Sequence, residues 1–164
     1  MFRTQRRTLA ILRRTPVNPD RPTELRKDEE VVVDLPESLP SVWADPGRLD
    51  HVLANLLRNA FRHTEPGGIV VITAAAGARG VWLEVRDMGE GIPGEELEHI
   101  WTRFYRGEGG RARDARGAGL GLAFVRDLVE AMAGRVSVAS DVGRGSAFRV
   151  WLPAATEEEE VAGR

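Results

Sequence analysis

Two asparagines and an arginine stand at helical spacing between Pro46 and His63. Asn55, Asn59 and Arg62 are separated by four and three positions, and His63 follows directly. On a helix these spacings place the side chains on one side. Asparagine is a mediocre helix former because its amide competes for backbone hydrogen bonds, so two at this spacing need an explanation. Their amide oxygens could bind a hard cation such as Mg²⁺, although an isolated pair is also compatible with two solvent-facing amides.

A carboxylate and two glycines stand together in the sequence D-M-G-E-G-I, at residues 87–92. Asp87 follows a run of alternating apolar residues, and a carboxylate at the end of a strand can accept a hydrogen bond from an exocyclic amine such as that of adenine. Gly89 and Gly91 would let the backbone turn and approach a flat ligand closely. The same pattern is also an ordinary turn signal, whereas a calcium loop would need more carboxylates at alternate positions.

Three alternating glycines occur in G-A-G-L-G-L, at residues 117–122, directly before a segment with helical periodicity. Glycines at this place expose backbone N–H groups at the positive end of a helix dipole, which suits phosphate oxygens. The pattern has no Gly-Lys-Ser/Thr ending of a P-loop and does not follow a strand as in a dinucleotide-binding unit. By itself it is weak evidence for a phosphate site.

Aromatic residues and arginines alternate in I-W-T-R-F-Y-R, at residues 100–106. Arg106 could pair with a phosphate in fork geometry, and Phe104 could pack the following glycine-rich loop down as a lid. Trp101 and Phe104 are equally compatible with aromatics that close the edge of a core.

The elements that must position these groups follow from the apolar periodicity. We expect helices at Pro46–His63, Pro93–Ile100 and Leu120–Met132, strands at Glu30–Asp34, Ile69–Ala75, Val81–Asp87, Arg135–Ala139 and Ser146–Leu152, and a loop at Gly107–Gly119. The second and third strands would form a hairpin. The fold class is therefore α+β: a two-layer sandwich in which a mixed, mostly antiparallel sheet is covered on one face by helices.

Length and composition restrict the organisation and the partners. A chain of 164 residues suits one domain, which we place at residues 29–154, after a basic, proline-containing arm at 1–28 and before an acidic tail at 155–164. The net charge of −2 gives no basic field for nucleic acid. The absence of cysteine excludes disulfides and thiolate chemistry, and no apolar run is long enough for a membrane helix. We expect a cytoplasmic protein without a membrane segment.

The four segments, followed by G-R-G-S-A-F at residues 143–148, resemble in order the N, G1, F, G2 and G3 boxes of histidine kinase catalytic domains. These domains belong to the GHKL superfamily, which also includes gyrase, the Hsp90 chaperones and MutL and shares the Bergerat ATP-binding fold. The resemblance covers about residues 31–153. It implies ATP and Mg²⁺ as cofactors and a protein histidine kinase activity.

The resemblance also implies roles for individual residues. Asn59, with Asn55 nearby, would serve Mg²⁺ and the phosphates, and Arg62 and Arg106 would approach the phosphates as catalytic groups. Asp87 would bind the adenine amine beside His63. The remaining nucleotide-binding positions implied are Gly89, Gly91, Ile92, Phe104, Gly117, Gly119, Leu120, Gly121, Leu122 and Ser146.

The phosphoacceptor histidine of such kinases has no counterpart in this sequence. The three histidines, His51, His63 and His99, all fall inside the resemblance, and none is followed by an acidic residue. We therefore expect a catalytic module that acts in trans on a separate phosphoacceptor-histidine dimerisation protein and, through it, on a response regulator. The starting Met and basic arm favour an intact small protein over a fragment of a longer kinase. The alternatives are an anti-sigma-type serine protein kinase and a non-catalytic nucleotide-binding regulator.

Overall fold

The long helix, α1, spans Pro46–His63, as the apolar periodicity predicted. It begins at Asp45, whose carboxylate accepts a hydrogen bond from the backbone N–H of Arg48 at 2.9 Å, and proline occupies the first helical position. It ends at Thr64, whose hydroxyl donates to the carbonyl of Ala60. One stripe of the helix is buried, formed by Leu49, Val52, Leu53, Leu56, Leu57 and Ala60.

The computed structural model describes residues 30–107 and 119–155, together with the backbone of residues 3–4. Its main sheet has five strands, and in chain order they are β2 (Glu30–Asp34), β4 (Ile69–Gly77), β5 (Gly80–Asp87), β6 (Arg135–Asp141) and β7 (Gly145–Pro153). A short separate pair joins β1 (Arg3–Thr4) to β3 (Val42–Trp43). The main sheet has the order β2-β4-β5-β7-β6, in which only β2 and β4 pair in parallel. The predicted hairpin is present as β4 and β5.

A second helix, α2, spans Gly121–Glu130 and packs beside α1 on one face of the sheet. The core lies between the helices and this face, where Val125 and Val129 of α2 are fully buried. The ring of Phe148 on β7 meets Trp101 edge-on, with 6.0 Å between centroids. The expected two-layer α+β sandwich is confirmed, and Trp101 is buried in its core.

The opposite face of the sheet carries charged side chains that pair with one another or lie against a tryptophan. Glu84 on β5 forms ion pairs with Arg86 and Arg149, and the guanidinium of Arg135 lies 4.5 Å from the ring centroid of Trp151. Burial acts to raise the pKa of Glu84, but the hydrogen bonds and charges of Arg149 and Arg86 together outweigh it and lower the pKa. A shallow groove on this face is lined partly by these side chains.

One local prediction was inaccurate, and one strand pairing was not anticipated. The helix expected at Pro93–Ile100 is only a 3₁₀ turn at Gly94–Glu96, followed by irregular turns to Phe104. Both His99 and Ile100 donate to the same carbonyl, that of Glu96, so the hydrogen bonds do not settle into one helical ladder. The pairing of β1 with β3 was not anticipated, because a two-residue strand has no periodicity to detect.

Candidate functional site

Asp87 ends β5 and is the one charged side chain among the described residues that is buried, with 2% of its surface exposed. Its Oδ1 accepts hydrogen bonds from the backbone N–H groups of Gly89, at 3.0 Å, and Ser146, at 3.2 Å. Within residues 30–107 and 119–155, no donor reaches its Oδ2. Burial raises the pKa of this carboxyl, against the opposing effect of the two backbone N–H groups. A buried carboxylate with one unused acceptor favours a ligand that donates a hydrogen bond.

The loop after Asp87 is held by close backbone contacts. A side chain at Gly89 would overlap the carbonyl of His63, at the end of α1. Gly91 has φ of +73°, and a side chain there would overlap the carbonyl of Asp141. Glycine is needed at both positions because only its small size permits these approaches, and at Gly91 its freedom at positive φ is needed as well. The loop is thus fixed between α1 and the β6–β7 turn.

The side chain of His63 contacts the same loop. Its Nδ1 lies 2.9 Å from Oε1 of Glu90, and both side chains are about one-third exposed. This pair joins the C-terminal end of α1 to the D-M-G-E-G-I segment. His63 therefore lies beside this segment, and its place at the wall of a nucleotide site stays a prediction.

The two asparagines of α1 differ in their surroundings. Asn55 is engaged locally, because its Nδ2 donates to the carbonyl of His51 at 2.8 Å and its Oδ1 accepts weakly from Arg58 at 3.5 Å. Asn59 is half-buried, and its amide makes no hydrogen bond to any residue that the structure describes. A half-buried amide without a protein partner is suited to a ligand. Of the two, Asn59 is the better candidate for a cation or phosphate.

The N-terminus of α2 lies against Asn55. A side-chain atom built at Gly121 would be 3.5 Å from Oδ1 of that residue. Leu120 precedes the helix without capping it, so no side chain in the described part of the chain covers the first N–H groups of α2. Gly119 and Leu122 flank this end, whereas Gly117 falls outside the described residues. The backbone N–H groups at this uncapped terminus have the properties expected of a phosphate-binding site.

The aromatic segment meets this helix end from the other side. The N–H of Phe104 donates to the carbonyl of Gly119 at 2.9 Å, and Phe104 itself has φ of +65° and is 71% exposed. Arg103 pairs with Asp127 of α2 at 2.7 Å. Arg106, the last residue of the aromatic segment, is half-buried. The sequence signalled the arginines and Phe104, but the Arg103 to Asp127 pair joins residues 24 positions apart and has no local pattern.

Helix α1 connects the two ends of the site. Asn55 lies beside the start of α2, and His63 lies beside the loop of Gly89, with Asn59 halfway between them. Eight residues of α-helix correspond to about 12 Å. The region along α1 between these two ends, which we call the cleft, has an acceptor for a flat ligand at one end and uncapped N–H groups at the other. An elongated ligand with a heterocycle and phosphates fits this arrangement.

A metal ion in this cleft would need oxygen ligands beyond the carboxylates. Among residues 30–107 and 119–155, no group of three His, Asp or Glu side chains could hold a metal ion. Mg²⁺ accepts amide and phosphate oxygens and keeps several waters. The donor set around Asn59 fits Mg²⁺ that arrives with a phosphate ligand, and it does not fit a cation held by protein alone.

Ser140, which contacts the loop after β5, has only a weak sequence signal. Ile92, predicted as part of the site, donates its backbone N–H to Oγ of Ser140 on β6 at 2.8 Å. Ser140 was not singled out, although it is a polar residue at a position where the strand alternation points toward the covered face. Buried Ser146, by contrast, was expected and contacts Asp87 through its backbone.

Comparisons with known proteins show the family to which this chain belongs. Residues 44–156 match the family described as histidine kinase-, DNA gyrase B- and HSP90-like ATPases. The adaptive-response sensory kinase SasA of Synechococcus elongatus is 38% identical over 130 residues, which are 77% of this chain and 33% of SasA. The mycobacterial sensor histidine kinase MprB superposes with a TM-score of 0.79 at 27% identity, covering 93% of this chain and 98% of that structure.

A third similar protein is ShkA, whose full-length crystal structure is in complex with AMPPNP. It shares 34% identity at a TM-score of 0.66, over 78% of this chain and 26% of ShkA. The chain thus spans about a third of the length of SasA and about a quarter of ShkA. The match covers both ends of the cleft, from the asparagines of α1 to Ser146. The chain belongs to the histidine kinase-, DNA gyrase B- and HSP90-like ATPase family, as an ATP-binding catalytic domain of the histidine kinase type.

Proposed function

We propose that this chain is the ATP-binding catalytic component of a two-component histidine kinase and transfers the γ-phosphoryl group of ATP to a histidine on a partner protein. The observation that carries the proposal is buried Asp87, whose Oδ2 is left without a donor in the described part of the protein. The exocyclic amine of adenine would supply that donor. Gly91 and Ile92 would border the base, and His63 would close its side.

The phosphates would extend along α1 toward the start of α2. The uncapped N–H groups at Gly121 and Leu122 would bind phosphate oxygens, and the amide oxygen of Asn59 would face the metal that accompanies them. Mg²⁺, when bound, would neutralise charge on the phosphates. Arg62, exposed one turn beyond Asn59, would add positive charge near the terminal phosphate.

The transfer itself asks little covalent chemistry of this chain. A ring nitrogen of the accepting histidine would form a bond to the γ-phosphorus while the bond from that phosphorus to the bridging oxygen of ADP breaks. The N–H proton of that imidazole would pass to a carboxylate of the partner or to water. Arg62 and Arg106 would hold the transferring group in line with the nucleophile.

The accepting histidine is assigned to a partner because the histidines of this chain have other positions. His63 pairs with Glu90, His99 stacks near the ring of Tyr105 with 5.6 Å between centroids, and His51 lies exposed on α1.

No helix within the described residues is long and apolar enough to cross a membrane. We place the reaction in the cytoplasm, because ATP is its substrate, and expect the partner to pass the phosphoryl group to a response regulator.

A docking surface for such a partner lies next to the phosphate end. Phe104 is 71% exposed, and Leu120 and Phe124, one helical turn apart, are 40% and 47% exposed. Phe104 is joined to this helix end through its hydrogen bond to Gly119. Exposed apolar groups beside a reaction centre favour contact with another protein. Their place would bring an acceptor helix close to the γ-phosphate.

The proposal is tested by incubating the chain with Mg²⁺, γ-labelled ATP and the phosphoacceptor hairpin of a related histidine kinase. We expect label on the hairpin that is lost in acid and retained in base, and no label when the acceptor histidine is replaced by glutamine. An acid-stable product would instead indicate a serine kinase. Nucleotide binding without transfer to any histidine-bearing partner would indicate a non-catalytic regulator.

A further inference from the structure

Ser140, near the end of β6, joins three segments around the proposed adenine site. Its Oγ accepts the N–H of Ile92 at 2.8 Å and donates to the carbonyl of Gly145 at 2.9 Å. It also lies 3.0 Å from Oγ of Ser146. The residue therefore connects the loop after β5 to the start of β7, although 48 positions separate it from Ile92.

The hydrogen-bonding capacity of a hydroxyl fixes the direction of each of these contacts. A serine hydroxyl has one proton to donate and two lone pairs to accept. Because the proton of Ser140 goes to Gly145 and one lone pair takes the N–H of Ile92, Ser146 must donate its own proton to the remaining lone pair. All three capacities of Ser140 are then used. A fully satisfied, half-buried network of this kind holds its members in one arrangement.

The network ends on the carboxylate proposed to bind adenine. The backbone N–H of Ser146 donates to Oδ1 of Asp87, and a side chain at Gly145 would overlap the carbonyl of Asp87. Ser140 thereby links the backbone of Ile92 to the contacts that hold Asp87, and both residues are proposed to border the adenine.

We propose that Ser140 is a positioning residue for nucleotide binding, which fixes the distance between Ile92 and Asp87 and so determines affinity and selectivity for adenine. This inference rests on the proposed binding of ATP in the cleft. Ser140 touches no phosphate position, so its contribution is confined to the base. Loss of its hydroxyl should weaken ATP and ADP by the same factor and leave the transfer rate at saturating ATP unchanged.

The test compares Ser140→Ala with Ser137→Ala, which removes an exposed hydroxyl from the same strand. Ser140→Thr retains a hydroxyl, and Ser140→Cys fills the position with a slightly larger group that forms only weak hydrogen bonds. Dissociation constants for ATP, ADP and ITP would be measured by calorimetry well below the unfolding temperature of each variant. Ser140→Ala removes all three hydrogen bonds that hold Ile92, Gly145 and Ser146 in place, and we expect the displaced binding residues to lower the affinity roughly tenfold, which is about the free energy of one hydrogen bond.

We expect Ser140→Ala to weaken ATP and ADP equally by about tenfold, to reduce the preference for ATP over ITP, and to raise the KM for ATP without lowering kcat. Ser140→Thr should restore most of the affinity, and Ser137→Ala should match the wild type. If Ser140→Ala fails to fold, the same loss should appear in Ser140→Cys. Wild-type affinity and selectivity in a folded Ser140 variant would overturn the inference, whereas failure of the wild type to bind ATP would overturn the proposed function instead.

Discussion

Replacing Asp87 by asparagine tests the adenine site with almost no change in shape. The amide can keep Oδ1 as the acceptor for the N–H groups of Gly89 and Ser146, but its NH₂ group then takes the place of Oδ2. A donor would face the donor of the adenine amine. If the amide turns round instead, the two backbone N–H groups lose their acceptor. Both orientations leave a buried donor unsatisfied.

The expected loss follows from these two contributions. A hydrogen bond to a charged group contributes about 1.5–3 kcal/mol, and a buried unsatisfied donor costs about 1–3 kcal/mol more. The sum corresponds to a loss in ATP affinity of about two to four orders of magnitude. Asp34→Asn is the matched control, because it makes the same chemical change at an exposed position on β2. That variant should bind ATP like the wild type.

A second nucleotide makes the Asp87→Asn experiment specific to the base. ITP presents a carbonyl oxygen where ATP presents the amine, so the NH₂ group of the variant can donate to it. We expect the ratio of ATP to ITP affinity, measured by calorimetry, to fall steeply or to invert. An equal loss for both nucleotides in a folded variant, or no loss for either, would refute the assignment of Asp87 to the adenine amine.

Four further outcomes follow from the site. Without nucleotide, the stability of the wild type should fall relative to that of Asp87→Asn as the pH of chemical unfolding rises from about 4 toward neutrality. Burial raises the pKa of the Asp87 carboxyl in the folded state, so the stabilisation that the protonated carboxyl gives at low pH is lost as the pH rises through that pKa. A difference in stability between the two proteins that does not change with pH would contradict this. Asn59→Ala should retain weak binding of metal-free ATP but lose Mg²⁺-dependent transfer, as calorimetry and labelled ATP would show. Phe124→Ser should leave ATP affinity unchanged while raising the acceptor concentration for half-maximal transfer by about tenfold or more in kinetic titrations. Gly91→Ala should lower the free energy of unfolding by about 2 kcal/mol or more, because of its positive φ and its contact with the carbonyl of Asp141.

Much of the fold was predictable because its signals are local. The stripe from Leu49 to Ala60, the cap at Asp45 and the alternation of β5 each appear within one window of sequence, and the helix and hairpin formed at those places. Element ends shifted by one or two residues, because pairing across the sheet extends strands beyond their apolar runs. The segment after Pro93 became a turn because its hydrogen bonds compete with one another.

The contacts that complete the site could not be predicted in the same way. Residue types identified Asp87 and Asn59 as candidates, but they did not show that Asn55 bonds to His51 and lies beside the start of α2, while Asn59 has no hydrogen-bond partner among the described residues. The roles of Ser140 and of the Arg103 to Asp127 pair depend on contacts between residues distant in sequence. Such contacts arise when folding brings distant residues together, and they leave no spacing pattern in the sequence of a single chain.

The most direct test of the central claim is to observe which backbone amides respond when ATP and Mg²⁺ are added to the ¹⁵N-labelled protein. In heteronuclear NMR spectra, we expect saturable shifts centred on Gly89, Gly91, Ile92 and Ser146, with a second set at Gly121 and Leu122. Residues of the groove on the opposite face of the sheet, such as Ala75 and Ser137, should not shift. Shifts confined to that groove, or no saturable shifts at all, would contradict an ATP site between α1, α2 and the loop that follows β5.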